Sequence, residues 1–232
     1  ISMEIDHSTG RFINSVASSR IFALVLAAGE SSRMGTPKQL LEYRGVSFLC
    51  RAIEGFIHAG ADDIVVVCGH EFDIMKDHIL NSKFSISADE FTKKVLIARN
   101  PDYKKGQLSS IKAGLKAFGE KKAVDFYRGF MIQLIDRPLV RYETFKNLKD
   151  RFIKNDCPIL LPSYNLKRGH PACFSSEFAG EILSLGDDDS LKSILKRHEN
   201  RIKYLETDDE GILKNIDTPL EFEKIKGVRD VD

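Results

Sequence analysis

The chain has 232 residues, enough for one α/β domain with a sizeable core. Its 35 lysines and arginines nearly cancel 34 aspartates and glutamates, and a formal net charge of +1 gives no polyanion-binding field, which argues against a nucleic-acid binder. No apolar run approaches the length of a membrane span and the first residues lack a signal-peptide core, so no membrane partner is expected. Cys50, Cys68, Cys157 and Cys173 show no Cys-x-x-Cys or histidine spacing for zinc. Cys50 and Cys68 lie in apolar runs where ordinary burial is the better reading, and a reduced, cytoplasmic setting follows.

Residues 1–20 are mixed and mostly polar. They read as an N-terminal arm with no assigned function, open to a vector origin, and residues 21–232 read as one domain without repeats or linkers. The run 21–27 is continuously apolar, as in a strand buried on both faces. It breaks into Ala27-Ala28-Gly29, and Arg33 and Lys38 follow on a loop expected to be exposed. Small side chains let backbone N–H groups approach a ligand, and two nearby cations complete a recipe for holding a polyphosphate. A glycine loop after a strand is common in any α/β protein. Neither known phosphate-loop spacing applies: Gly29 and Gly35 enclose five residues, and Lys38 lies three further on.

Downstream, Ser47 can cap a helix whose Phe48, Leu49, Ala52, Ile53, Phe56 and Ile57 share one face, with Gly60 ending it. Strands are expected at 63–68, 94–98 and 129–135. A helix opens near Gly106 with Leu108, Ile111, Leu115 and Phe118 on its buried face, and another starts near Tyr142. The basic string 93–105 reads as solvated lysines. Residues 158–205 read as strand, strand, helix, helix, strand, and a last helix covers 220–226. This alternation predicts an α/β, Rossmann-like fold: a mainly parallel sheet, helices on both faces, and a mixed or antiparallel edge. The loops after residues 27, 68, 98 and 135 then share one rim beyond the carboxyl ends of the strands, where such sheets bind ligands.

On that rim, Asp136 at the mouth of a buried strand is a candidate magnesium ligand, with a helix-capping turn aspartate as the plain alternative. Asp217 is a second candidate, with Asp217 or Thr218 capping the final helix as its alternative. The run Asp187 to Asp189 reads as a helix start rather than a metal cluster.

The string LAAG-x-S-x-R-M-G-x-x-K-x-L-L from Leu26 resembles the signature of nucleotidyltransferases of the molybdenum-cofactor cytidylyltransferase and guanylyltransferase type. Gly69-His70, Asn100-Pro101 with Gly106, Ser109 and Ser110, Asp136-x-Pro138, Arg168-Gly169-His170-Pro171 and Asn215-Ile216-Asp217-Thr218-Pro219 resemble further segments of that family, in order. Three departures stand out: Arg137 where relatives usually carry an uncharged residue, Asn215 in place of an aspartate, and no second glycine after Gly186-Asp187. The resemblance implies transfer of a nucleoside monophosphate from a triphosphate to a phosphate-bearing acceptor, with release of pyrophosphate. Arg33, Lys38 and Asp136 would be catalytic. Leu26, Ala27, Ala28, Gly29, Gly69, Asn100, Gly106, Ser109 and Ser110 would bind the nucleotide, and Arg168, Gly169, His170 and Pro171 the acceptor. Mg2+ would sit on Asp136 and Asp217. Ala28 favours CTP, and a molybdopterin-type compound is the expected acceptor, with a molybdoenzyme or its chaperone downstream. A different acceptor such as a sugar phosphate, or a non-catalytic carrier of cofactor or nucleotide, is the alternative.

Overall fold

The computed structural model describes residues 3–6, 11–14, 18–155 and 157–226. β1 (Met3–Asp6) and β2 (Arg11–Asn14) pair antiparallel as a separate ribbon. The domain proper runs β3 (Ile21–Ala27), β4 (Glu42–Tyr43), β5 (Val46–Ser47), α1 (Phe48–His58), β6 (Asp63–Cys68), α2 (Phe72–Asn81), α3 (Ala88–Lys94), β7 (Val95–Arg99), α4 (Gln107–Gly119) and β8 (Gly129–Leu134). It continues with α5 (Tyr142–Lys154), β9 (Ile159–Tyr164), β10 (Lys167–Arg168), β11 (Ala172–Ser175), α6 (Phe178–Ser184), α7 (Leu191–Arg197), β12 (Ile202–Glu206) and α8 (Pro219–Lys226). No helix among the described residues is long and apolar enough to cross a membrane.

The expected α/β architecture is present. β8, β3, β6 and β7 lie side by side and parallel, which continuous apolar runs allow because both faces are covered. Alternate residues of β3 serve opposite layers. Ile21, Ala23 and Val25 join the core built with α1, α2 and α5, whereas Phe22, Leu24 and Leu26 join that built with α4, α6 and α7. Ser47 caps α1 by accepting from the Cys50 amide, as its position suggests.

The remaining strands form the mixed edge. β11 runs antiparallel to β8 and to β9, and β12 adds parallel to the far side of β9. Arg168 pairs with Ser163 but Cys173 pairs with Leu160, so the returning strand carries two extra residues around Gly169, His170 and Pro171. That bulge separates β10 from β11.

The chain steps outward from β3 to β6 to β7, then returns across to β8 on the other side of β3. The order therefore reverses between β3 and β8. A crevice at the carboxyl ends of these two strands is the natural ligand position in such a sheet.

Candidate active site

A cavity of about 360 Å³ opens at that switch point. Leu26 from β3 and Leu134 from β8 form its floor, and the loop after β3 supplies Ala28, Gly29, Ser31 and Arg33. Lys38 and Gln39 belong to a short 3-10 turn that folds this loop back over the strand end. Asp136 enters from the end of β8 and Asp217 from the segment before α8. On the opposite wall, α4 begins with no side-chain cap, leaving its first N–H groups to face solvent or ligand. Gly106 lies just before it at φ 98°, a left-handed value that glycine accepts without strain.

The charges converge. Lys38 Nζ donates to Asp217 Oδ1 at 2.6 Å, and Arg33 Nη2 lies 3.4 Å from Asp217 Oδ2. The Lys38 side chain is only 13 % exposed, against 70 % for Arg33, so the expectation of an exposed loop holds for the arginine and fails for the lysine. Asp217, 179 positions away, covers it. Burial pushes the Asp217 carboxyl up, but the Lys38 hydrogen bond and the charges of Lys38 and Arg33 outweigh it and hold the group below the usual carboxylate range. Asp136 is the opposite case. Burial raises its carboxyl above the usual value, opposed by the Lys38 and Arg137 charges and reinforced by Asp217. Its Oδ1 is buried without a hydrogen-bond partner.

Of the two capping candidates for the final helix, Thr218 takes the role and Asp217 does not. Thr218 Oγ1 accepts from the Glu221 amide, while Glu221 Oε2 accepts from the amides of Asp217 and Thr218. This capping box satisfies the start of α8 and leaves the Asp217 carboxylate for the cavity.

Several motif residues build the walls without lining the cavity. Asn100 is buried and donates from Nδ2 to Ser109 Oγ at 2.9 Å and Ser110 Oγ at 3.0 Å, while its Oδ1 accepts from Asp102 N. Only Ser110 of these reaches the cavity. Ala27 contributes a carbonyl that points to Gln39. A Cβ on Gly69 would stand 2.7 Å from Tyr103 Cβ and 2.8 Å from the Ala28 carbonyl, so glycine there lets Tyr103 pack into the cavity wall.

The predicted acceptor segment is not brought to the cavity either. Arg168 lines a separate recess beside Tyr204 and Glu206. Gly169 abuts the Ile212 carbonyl, Pro171 is buried, and His170 faces the Ile132 carbonyl at 3.3 Å from Nδ1. Burial first, and then the Arg137 charge, push His170 down to about 4, so it is neutral at neutral pH and offers no positive charge to an anion. Arg137 is half-buried rather than exposed. Its guanidinium donates to the Ile212 carbonyl.

Among the polar lining residues, sequence reasoning missed Ser31, Ser32, Gln39, Tyr103 and Gln107. Gln39 and Tyr103 sit inside the motifs that flagged their neighbours, and that position was the available signal.

Residues 23–202 match the MobA-like NTP transferase domain. The chain is 24 % identical over 204 residues to a molybdenum cofactor cytidylyltransferase of Escherichia coli (strain K12), covering 88 % of this chain and 94 % of that protein. It is also 24 % identical over 204 residues to nicotine blue oxidoreductase of Paenarthrobacter nicotinovorans, covering 85 % and 92 % respectively. The solved structure of Rv0371c from Mycobacterium tuberculosis H37Rv has a TM-score of 0.71 at 23 % identity, covering 90 % of this chain and 100 % of that one. A complex of that protein with manganese has a TM-score of 0.64 at 22 % identity, with 89 % and 97 % covered. The family match spans most of the described domain. The chain belongs to the MobA-like NTP transferase family of nucleotidyltransferases.

Proposed function

We propose that this chain transfers CMP from CTP to a molybdopterin-type acceptor with the aid of Mg2+, releasing pyrophosphate. The observation that carries the reading is the meeting of a small-residue loop, Lys38, Arg33, Asp136 and Asp217 in one cavity at the switch point of the sheet. Such chemistry asks little covalent help of a protein. It needs two anions aligned and their charge neutralised.

Arg33 would offer its planar fork to the departing pyrophosphate, and Lys38 would stand beside the α-phosphate where negative charge builds during attack. A bound triphosphate competes with Asp217 for both cations, so Asp217 is released as the substrate engages them. The phosphate of the acceptor is already anionic at neutral pH, and no general base is required. Ala28, buried and lining the cavity, narrows the space beside the base and favours a pyrimidine.

The carboxylates fit a divalent ion. Asp136 Oδ1 is buried with no partner, and Asp217 faces the same space. Among the described residues no cluster of three or more His, Cys, Asp or Glu forms a cage. Two carboxylates plus phosphate oxygens and water is the ligand set magnesium favours. When bound, magnesium would neutralise charge on the phosphate oxygens. The four buried cysteines, none in a disulfide among the described residues, accord with a reducing, cytoplasmic setting, and a molybdoenzyme or its chaperone would receive the product.

The test is a screen of four nucleoside triphosphates against molybdopterin, with and without Mg2+, reading pyrophosphate. CTP should give the highest kcat/KM. Equal or better use of GTP would remove the cytidylyl assignment, and activity only with a sugar phosphate would remove the acceptor.

A further inference from the structure

Gln39 is 1 % exposed although it sits at the edge of an open cavity. Its two amide N–H donors are both engaged, on the Ala27 carbonyl at 2.9 Å and the Gly29 carbonyl at 2.8 Å. Its Oε1 accepts from the Ser31 hydroxyl at 3.2 Å, and Ser31 Oγ itself accepts from the Lys38 amide at 2.9 Å. The carbonyl between, that of Ala28, accepts from the His70 amide at 3.1 Å. Three consecutive carbonyls of the loop are therefore held by protein donors. Ser31 stands at φ 56°, a left-handed value that a non-glycine residue keeps only where its surroundings hold it.

A planar trans peptide presents its carbonyl on one side and the next N–H on the other. Tying the Ala27 and Gly29 carbonyls to Gln39 turns the following amides, those of Ala28 and Glu30, away from that side chain. A loop of small residues without such a tie is free to rotate its peptides and show carbonyl oxygens to a ligand, which would repel phosphate.

We propose that Gln39, acting with Ser31, is a positioning residue of this phosphate loop. It keeps the carbonyls of residues 27 and 29 off the triphosphate and, through the Ser31 hydroxyl, fixes the backbone from which Lys38 projects. The inference rests on the reading of the cavity as a triphosphate site. Gln39 touches no reacting atom in this account.

Calorimetric titration of the whole chain with inorganic tripolyphosphate and Mg2+ tests it, comparing the unmodified protein with Gln39→Met, which keeps length and loses every polar contact, and with Ser31→Ala. Misplacing a binding group by about 1 Å costs on the order of a hundredfold. Gln39→Met should therefore weaken tripolyphosphate binding roughly ten- to a hundredfold and raise KM for the nucleotide, leaving KM for the acceptor unchanged. Ser31→Ala should weaken binding several-fold. A purely structural role would lower Tm and leave the affinity of folded Gln39→Met intact, and that result overturns the proposal. If Gln39→Met does not fold, Ser31→Ala decides, and unchanged affinity there overturns it equally. Failure of the unmodified protein to bind tripolyphosphate would overturn the transferase reading together with this inference, whereas equal binding by unmodified and variant proteins overturns this inference alone.

Discussion

Replacing Asp136 by asparagine should move stability and activity in opposite directions. Asp136 is half-buried, its Oδ1 is shut off from solvent with no hydrogen-bond partner, and burial raises its pKa despite the nearby positive charges. A raised carboxyl pKa means that the folded chain prefers the protonated form. At neutral pH the ionised group therefore costs stability, and the cost fades as pH falls through the folded value. Asparagine keeps the size and removes the charge. Relieving a misfit of this kind at a functional site gains about 0.5–2 kcal/mol, and in a chain of this length that is a rise of roughly 1–8 °C in Tm. The gain should shrink as the pH is lowered towards about 4, where the unfolded carboxyl also begins to protonate. Catalysis should collapse, because losing a charged metal ligand forfeits several kcal/mol of transition-state stabilisation, about three orders of magnitude. Mg2+ together with nucleotide should raise Tm for the unmodified protein and much less for the variant. Calorimetric melts across pH, paired with a pyrophosphate assay, read both arms. A lowered metal-free Tm at neutral pH, or near-normal turnover, would refute the reasoning.

Three other changes test the remaining assignments. Lys38→Ala should lower turnover by about 10²–10³, the cost of removing one preorganised charge donor, while circular dichroism reports an intact fold because Arg33 still faces Asp217; near-normal turnover in the folded variant would take Lys38 out of the mechanism. Asp217 is held below its usual value, so it contributes stability above the unfolded carboxylate pKa of about 4 and loses it as pH falls through the folded value; Asp217→Asn should flatten the acid limb of a Tm-versus-pH curve, and an unchanged limb would contradict the pairing with Lys38. Ala28→Gly should erode a CTP preference that one methyl group sets at roughly tens to a hundredfold, as read from kcat/KM for CTP and GTP, and an unaltered ratio would discount Ala28 as the selector.

The parallel core was readable because β3, β6 and β8 are buried on both faces, which leaves almost no choice but apolar residues along them. α3 was not, since none of its residues is buried and no apolar period marks it. Its local signals are end effects: Ser87, which accepts from the Glu90 amide at the helix start, and acidic residues in the first turn with lysines in the last. The rim residues were legible as types and positions, but their directions were not. Asn100 and Ser109 carry the motif yet turn inward to brace their own loop, and an extended or turning backbone gives no hint of which way a short polar side chain will face. Arg137 was ambiguous for a related reason: its partner, the Ile212 carbonyl, is 75 residues away. The Lys38–Asp217 contact joins the two ends of the domain, and only the return of the chain from β12 across the rim brings them together. Gln39 was the costliest miss, because its bonds run back to residues 27, 29 and 31 in a turn that no period describes.

The most direct measurement follows the α-phosphate. The chain, Mg2+ and molybdopterin are incubated with CTP labelled at that phosphorus, and the acceptor is separated and counted against pyrophosphate formed. The account predicts label on the acceptor in equal amount to pyrophosphate, dependent on both Mg2+ and acceptor, and lost in Lys38→Ala and Asp136→Asn. Pyrophosphate without labelled acceptor, or no acceptor-dependent turnover with any of the four nucleoside triphosphates, would contradict it.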